Sequence, residues 1–171
     1  MNVGQAYGFW RKLRKPLLIV DGGKRRQDSV FNCLKALDPA CDMVLVHDSA
    51  RPFVDHELVS RVIEGVSASG ACICGVPVKG TVKRVAGLYV DETIDRSTLW
   101  EIQTPQGFKK DVILKAYERY GDADVTDDAS LVERLGVRVK VVEGSYWNIK
   151  ITTPEDSIIG QAIAKNRKRA V

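Results

Sequence analysis

Asp48 and Arg51 stand in the run His47-Asp48-Ser49-Ala50-Arg51-Pro52, directly after the apolar stretch Met43-Val44-Leu45-Val46. A buried strand ending there delivers a carboxylate and a guanidinium into one tight turn. A hard divalent cation such as Mg²⁺ takes one or two carboxylates together with substrate phosphates. An arginine fork matches a phosphate in shape and charge. Asp48 and Arg51 can therefore serve a metal and a phosphate together; the competing reading is an Asp–Arg pair that only holds the loop. His47 has no evident partner and reads as structural.

A second loop, Asp21-Gly22-Gly23-Lys24-Arg25-Arg26-Gln27-Asp28-Ser29, follows the run Leu17-Leu18-Ile19-Val20. Its glycines let a backbone approach a ligand, and cations and a helix N-terminus follow, which together make a phosphate or nucleotide cradle. A plain charged surface turn has the same composition. Thr81, Arg96, Thr104 and Lys150 lie beside strand or turn positions. Lys150 sits between Ile149 and Ile151, so in an extended segment it points away from both. It can then face the ligand crevice that open parallel sheets form beyond their strand ends. Taken singly, each of the four also reads as a solvated charge or a capping hydroxyl.

The elements that must position these groups alternate short β-branched runs with helical periodicity, the pattern of an α/β fold with a parallel sheet covered by helices. The expected strands are Leu17 to Val20, Met43 to Val46, Ala71 to Val76 and Val137 to Val142, with Trp147 to Ile151 extending towards a last helix. The expected helices are Ser29 to Leu37, Asp55 to Ser67, Lys109 to Tyr120 and Asp127 to Leu135. Thr153, Pro154 and Asp156 mark the start of the last helix as cap, first position and capping-box acid. Residues Lys79 to Arg96 alternate in polarity around Ala86-Gly87 and predict an exposed hairpin. Met1 to Pro16 fits none of this and reads as a basic, poorly ordered terminus, set apart from a single domain over 17–171.

With 171 residues, 44% hydrophobic and 28% charged, the chain can bury a substantial core. No apolar run approaches the roughly 18 residues that span a bilayer, so no membrane partner is expected. The absence of a signal-peptide pattern suggests a cytoplasmic protein. Cys33, Cys41, Cys72 and Cys74 lack metal-ligand spacing and read as small, mostly buried hydrophobes. The net charge of +4 gathers at the two ends, while the middle is acidic. That distribution argues against nucleic acid as a partner, which needs basic residues along a groove.

Six segments then combine: GGKRRQDSV, VLVHDSARPF, GVPVKGTVKRV, LWEIQTPQGF, VTDDASLVE and GSYWNIKITTPED. Their order and spacing resemble the 2-C-methyl-D-erythritol 4-phosphate cytidylyltransferases of non-mevalonate isoprenoid synthesis, over about residues 17 to 165. The resemblance implies a mostly parallel, Rossmann-like nucleotidyltransferase sheet with helices on both faces and a protruding hairpin arm. The implied reaction is cytidylyl transfer from CTP to methylerythritol phosphate, with Mg²⁺, releasing pyrophosphate. By position, Gly22, Gly23 and Ser29 match the cytidine side, and Asp48 and Ser49 match the loop near ribose, metal and substrate. Arg51, Thr81, Arg96 and Thr104 match residues around the acceptor phosphate. Lys150 matches the lysine that stabilises charge at the reacting phosphate, and Arg96 joins it as the second candidate catalytic group. The arm over 79–96 implies a homodimer in which Thr81 and Arg96 complete the neighbour's site.

Nothing in Met1 to Pro16 matches the strand and Gly-rich loop, with its arginine and lysine, that hold the CTP triphosphate in the family. The expectation is therefore a chain whose first βα unit is missing and whose own turnover is weak or nil. Two alternatives accompany it. One is a ribitol 5-phosphate cytidylyltransferase, whose sequences share the TDDASLVE and NIKITTPED style; the other is a non-catalytic homologue acting as a dimer partner.

Overall fold

An aspartate decides where the first helix begins. Asp28 accepts the Arg25 backbone N–H at 3.0 Å and pairs with the Arg25 guanidinium at 2.6 Å, which fixes the chain for helix α1, Arg26–Lys35. The computed structural model describes residues 17–169, so the expected basic segment 1–16 lies outside the described residues. Contacts divide the chain into two compact units after Leu37. In the first unit Leu17 to Val20 forms no strand, and Leu17, Leu18 and Ile19 are exposed. A β-branched run becomes a strand only where a neighbour offers ladder hydrogen bonds, and propensity does not replace that neighbour. The helix expected at Ser29 to Leu37 begins earlier, because the Arg25–Asp28 pair precedes the apolar face on which that expectation was based.

The second unit runs in the order β1 (Met43–Val46), α2 (His56–Ser69), β2 (Ala71–Pro77), β3 (Val82–Ala86), β4 (Tyr89–Ile94), β5 (Trp100–Lys109), α3 (Lys110–Tyr120), α4 (Ala129–Arg134), β6 (Lys140–Glu143) and α5 (Pro154–Arg169). A short 3-10 turn over Arg96–Thr98 leads into β5. Asp55 starts α2 by accepting the Leu58 N–H at 2.8 Å. The face so fixed carries Leu58, Val62 and Val66 onto Cys72 and Cys74 of β2, with Leu45 and Val142 packed against them. Ala71 and Ile73 point to the opposite side of the pleat and are also buried. Helices α3 and α4 pack on each other and on β5 and β2.

The main sheet has the order β1-β5-β2-β6. Strands β1, β2 and β6 all run one way, as the sequence leads one to expect of a mostly parallel sheet. Strand β5 runs against them and sits between β1 and β2, so only β2 and β6 pair as parallel neighbours. The sequence does not announce β5: WEIQTPQGFK lacks alternation and contains a proline. Between Ile73 and Cys74 the pairing jumps from Gln106 to Gln103, leaving Thr104 and Pro105 in a bulge. Bulges re-aim side chains, often beside functional sites.

The hairpin forms as expected, with Ala86 opposite Tyr89 across a Gly87-Leu88 turn and Gly87 at φ 62°. The strand expected at Val137 to Val142 is shorter and later, at Lys140–Glu143, because its register is set by Cys72 to Gly75 of β2. Trp147 to Ile151 is not a strand.

Gly107 lies where α2 presses on the sheet: a Cβ there would come within 2.6 Å of Val66 and 2.8 Å of Leu45 and Val62 side chains. Gly107→Ala should therefore lower stability by about 1–3 kcal/mol through overpacking, read as a lower urea midpoint with an unchanged slope.

Candidate active site

Arg51 is the most constrained cation in the second unit. It is only 7% exposed, and its guanidinium donates through Nη1 to the Asn148 carbonyl at 2.8 Å and through Nη2 to the Ile102 carbonyl at 3.5 Å. Its Nε is buried with no hydrogen-bond partner, and among the described residues it has no salt bridge. The competing reading of Asp48 and Arg51 as a loop-holding pair is thereby replaced. Asp48 pairs instead with Lys150, Oδ2 to Nζ at 2.9 Å, with the carboxylate side chain 17% and the lysine side chain 43% exposed.

The turn after β1, the bulge within β5 and the segment after β6 bring these groups together. The turn after β1 carries Asp48 and Arg51, closed by the Arg51 N–H donating to the Asp48 carbonyl at 2.9 Å. The β5 bulge carries Thr104, whose hydroxyl oxygen accepts the Asp48 N–H at 3.0 Å. The segment after β6 carries Lys150, held by the Ile151 N–H donating to the Ala50 carbonyl at 2.8 Å. His47 bridges the same turn: its Nε2 donates to the Arg51 carbonyl at 3.0 Å, and its Nδ1 lies 3.0 Å from the Thr104 hydroxyl. The structural role expected for His47 is the one it has.

Sequence reasoning missed the buried amides behind these groups. Gln103 grips Ser145 through both backbone groups, with Nε2 donating to its carbonyl at 2.9 Å and Oε1 accepting its N–H at 3.2 Å. Asn148, fully buried, donates from Nδ2 to the Thr104 carbonyl at 2.9 Å. Asn148 stands between Trp147 and Ile149 and Gln103 beside Thr104, settings too common to single out. The TDDASLVE segment is structural by geometry: Gln106 donates to Asp127 at 2.8 Å, and Asp127 accepts the Ser130 N–H at 3.1 Å at the start of α4.

Thr81 and Arg96 stay with the hairpin arm. Thr81 is exposed, and the Arg96 guanidinium donates to the Lys79 carbonyl at the arm's base. Lys79 in turn sits over the Tyr146 ring, 3.4 Å from its centroid. Ser49 is exposed beside Asp48.

Gly22, Gly23 and Ser29 meet within the first unit, where the Gly23 N–H donates to the Ser29 hydroxyl at 2.9 Å. A Cβ on Gly23 would fall 2.2 Å from Asp28 Cβ, so glycine there is demanded by the loop folding onto its own helix. The Arg25 guanidinium beside Asp28 holds its carboxyl below the usual range.

Cys72 and Cys74 are buried, and burial pushes Cys74 up to about 11. Cys41 is half-buried and Cys33 is exposed, so the expectation of mostly buried cysteines holds for two of the four. Neighbours on a helix point about 100° apart, so Cys33 of α1 is exposed beside the buried Leu34.

A carboxylate, a lysine and a buried arginine gathered beside the sheet suit the binding of phosphates, and the chain's likeness to known proteins gives the class, that of the nucleotidyltransferases. The family described as IspD, 2-C-methyl-D-erythritol 4-phosphate cytidylyltransferase, matches residues 6–166, and the chain belongs to that family. The match begins earlier than residue 17, where the sequence motifs start. The chain is 49% identical over 158 residues to the 2-C-methyl-D-erythritol 4-phosphate cytidylyltransferase of Geobacillus thermodenitrificans strain NG80-2, covering 91% of this chain and 69% of that protein. It is 46% identical to the enzyme of the same name from Alkaliphilus oremlandii strain OhILAs, over 98% of this chain and 70% of that protein. Among solved structures, the 4-diphosphocytidyl-2C-methyl-D-erythritol synthase of Anaerococcus prevotii DSM 20548 superposes with a TM-score of 0.88 at 40% identity. That likeness covers 95% of this chain and 74% of that one.

Just past Lys150, the Asp156 carboxylate accepts the Thr152 and Thr153 N–H groups, each at 2.9 Å, and the Thr152 hydroxyl at 3.0 Å. The Thr152 backbone bond is the largest cause holding its pKa below the usual carboxylate range. A carboxyl lowered on folding stabilises fully at neutral pH, and its contribution is lost as pH falls through the folded value. Asp156→Ala should thus lower the thermal midpoint at neutral pH, with the gap to the parent closing below about pH 4.

Proposed function

We propose that this chain acts on CTP and 2-C-methyl-D-erythritol 4-phosphate, with release of pyrophosphate. The observation that carries the reading is the junction of Asp48, Arg51, Thr104 and Lys150, whose parts come from three separate segments of the chain. A phosphomonoester is already a competent nucleophile, so the protein has only to align two polyanions and neutralise charge as pyrophosphate leaves. Arg51 suits the acceptor phosphate: its buried charge has no carboxylate to answer it, and an incoming dianion supplies that charge. Lys150, the more exposed of the two cations, suits the reacting phosphate, where charge develops. Asp48 holds Lys150 until the polyanions arrive.

Mg²⁺ fits as an ion shared with the substrates. The described residues hold no cluster of three His, Cys, Asp or Glu that could bind a metal unaided. Asp48 is a single carboxylate of the kind that Mg²⁺ uses with substrate phosphates. When bound, the ion supplies charge neutralisation at the phosphoryl oxygens. We assign the loop of Gly22, Gly23 and Ser29 to the cytidine side on motif position alone.

The hairpin arm supports a homodimer. Val85, Leu88, Tyr89 and Val90 are 55%, 95%, 83% and 60% exposed, and an isolated two-stranded ribbon is marginal without something to pack on. Thr81 and Arg96, at the arm's base, are proposed to complete the neighbour's acceptor site. No helix of the described residues is long and apolar enough to cross a membrane. The four free thiols support a reducing, cytoplasmic setting.

A coupled pyrophosphate-release assay with CTP, methylerythritol phosphate and Mg²⁺ tests the reading and also measures the expectation of weak turnover. Lys150→Ala should lower kcat by about 10²–10³-fold; turnover insensitive to that change overturns its assignment. Preference for ribitol 5-phosphate in the same assay overturns the acceptor. Leu88→Asp should shift the chain towards monomer in sedimentation equilibrium, and an unchanged mass would remove the dimer proposal.

A further inference from the structure

Asn148 is wholly buried and polar, and the orientation of its amide is fixed by its surroundings. The Ser145 backbone has a carbonyl that only accepts and an N–H that only donates, so it sets the Gln103 amide with Nε2 towards one and Oε1 towards the other. Gln103 Oε1 and the Thr104 carbonyl then both face Asn148, at 3.4 and 2.9 Å, and both can only accept. The Asn148 NH₂ must point at them. Its main-chain carbonyl meanwhile accepts from Arg51 Nη1 at 2.8 Å, and its own N–H is tied back to the Ser145 carbonyl at 2.9 Å.

One residue thus joins the β5 bulge that presents Thr104 to the turn that presents Arg51, two positions before Lys150. Its Oδ1 is buried with no partner, as is Arg51 Nε. A buried amide with one unmet group costs stability, where an apolar residue of like shape would avoid the cost. Packing alone therefore does not account for asparagine here. What the amide supplies is a fixed reference between two segments, one that leaves the arginine's buried Nε donor unspent.

We infer that Asn148 is a positioning residue for the phosphorylated acceptor: it holds Arg51 and Thr104 in the mutual geometry that the acceptor reads, while leaving recognition of CTP to other groups. The inference rests on the acceptor reading proposed above. Asn148→Asp preserves shape but removes the donor. It sets a carboxylate against two acceptors and places negative charge on the residue that already holds Arg51, drawing the guanidinium away from a ligand.

Calorimetric titration of the full chain with methylerythritol phosphate, and separately with CTP, tests this. Asn148→Asp should weaken the acceptor by about 10-fold or more and CTP by less than about twofold. The Arg51 Nε–H resonance, assigned by its loss in Arg51→Lys, should shift in Asn148→Asp without any ligand. Asn148→Ser, which keeps a donor, should lose less acceptor affinity than Asn148→Asp, and it carries the same comparison if Asn148→Asp fails to show a cooperative melt. Equal losses for both ligands, or an unmoved Arg51 signal with unchanged acceptor affinity, would overturn the inference. A parent chain that binds CTP but no methylerythritol phosphate removes the acceptor reading and this inference together. Parental binding of the acceptor with no selective loss in the variants removes the inference alone.

Discussion

The second unit is organised around a charge that has been buried without an opposite charge. Moving a guanidinium out of water is costly unless its donors are answered. Among the described residues, the Arg51 guanidinium is answered by the main-chain carbonyls of Asn148 and Ile102. Those carbonyls must come from two different segments, the one after β6 and β5 itself. The turn after β1, the edge of β5 and the Ser145 to Ile151 segment are therefore obliged to meet, and the other site residues arrive with them. Lys150 reaches Asp48 because Ile151 is bonded to Ala50. Thr104 reaches the Asp48 N–H because the β5 bulge frees it from the ladder with β2.

The division of labour proposed above rests on burial. Arg51 is dry and bonded to two carbonyls, which suits recognition by shape and charge. Lys150 and Asp48 are more open and hold each other, which suits a pair that parts when a polyanion competes. The same strands carry both sets of groups, and helix α2 fixes them from one face through Leu58, Val62 and Val66. The close approach at Gly107 is what allows that helix to lie near enough to the sheet to set the strand ends.

Features written in local chemistry were legible in the sequence. The Thr153-Pro154-Asp156 start of α5 and the hairpin around Gly87 follow from capping and turn rules that need no tertiary partner. The Asp48–Arg51 turn was legible as a site because a carboxylate and an arginine after an apolar run are unusual. Features that depend on distant neighbours were not. Strand β5 carries Pro105 and three glutamine and threonine residues ahead of Gly107, and becomes a strand only because β1 and β2 bond it from both sides. Leu17 to Val20 has strand composition without strand structure. The partners of Asp48 and Arg51 were exchanged relative to the simplest expectation, since spacing along the chain cannot tell whether Arg51 turns inward to carbonyls or outward to its neighbour. Asn148 lay within the quoted GSYWNIKITTPED segment but was not singled out, because its bonds depend on what surrounds it.

The antiparallel placement of β5 also bears on how the chain is made. Strands β1 and β2 touch only through β5, so neither can find its long-term neighbour until residue 109 has left the ribosome. At about 5–20 residues per second, the gap between finishing β1 and finishing β5 is on the order of 3–13 s. β1 waits with open edges for that interval, and β2, finished at Pro77, for about half of it. Nascent chains of this fold would then depend on α2 shielding the Cys72 and Cys74 face early, or on chaperones that recognise unpaired β-branched segments, long before any substrate is met.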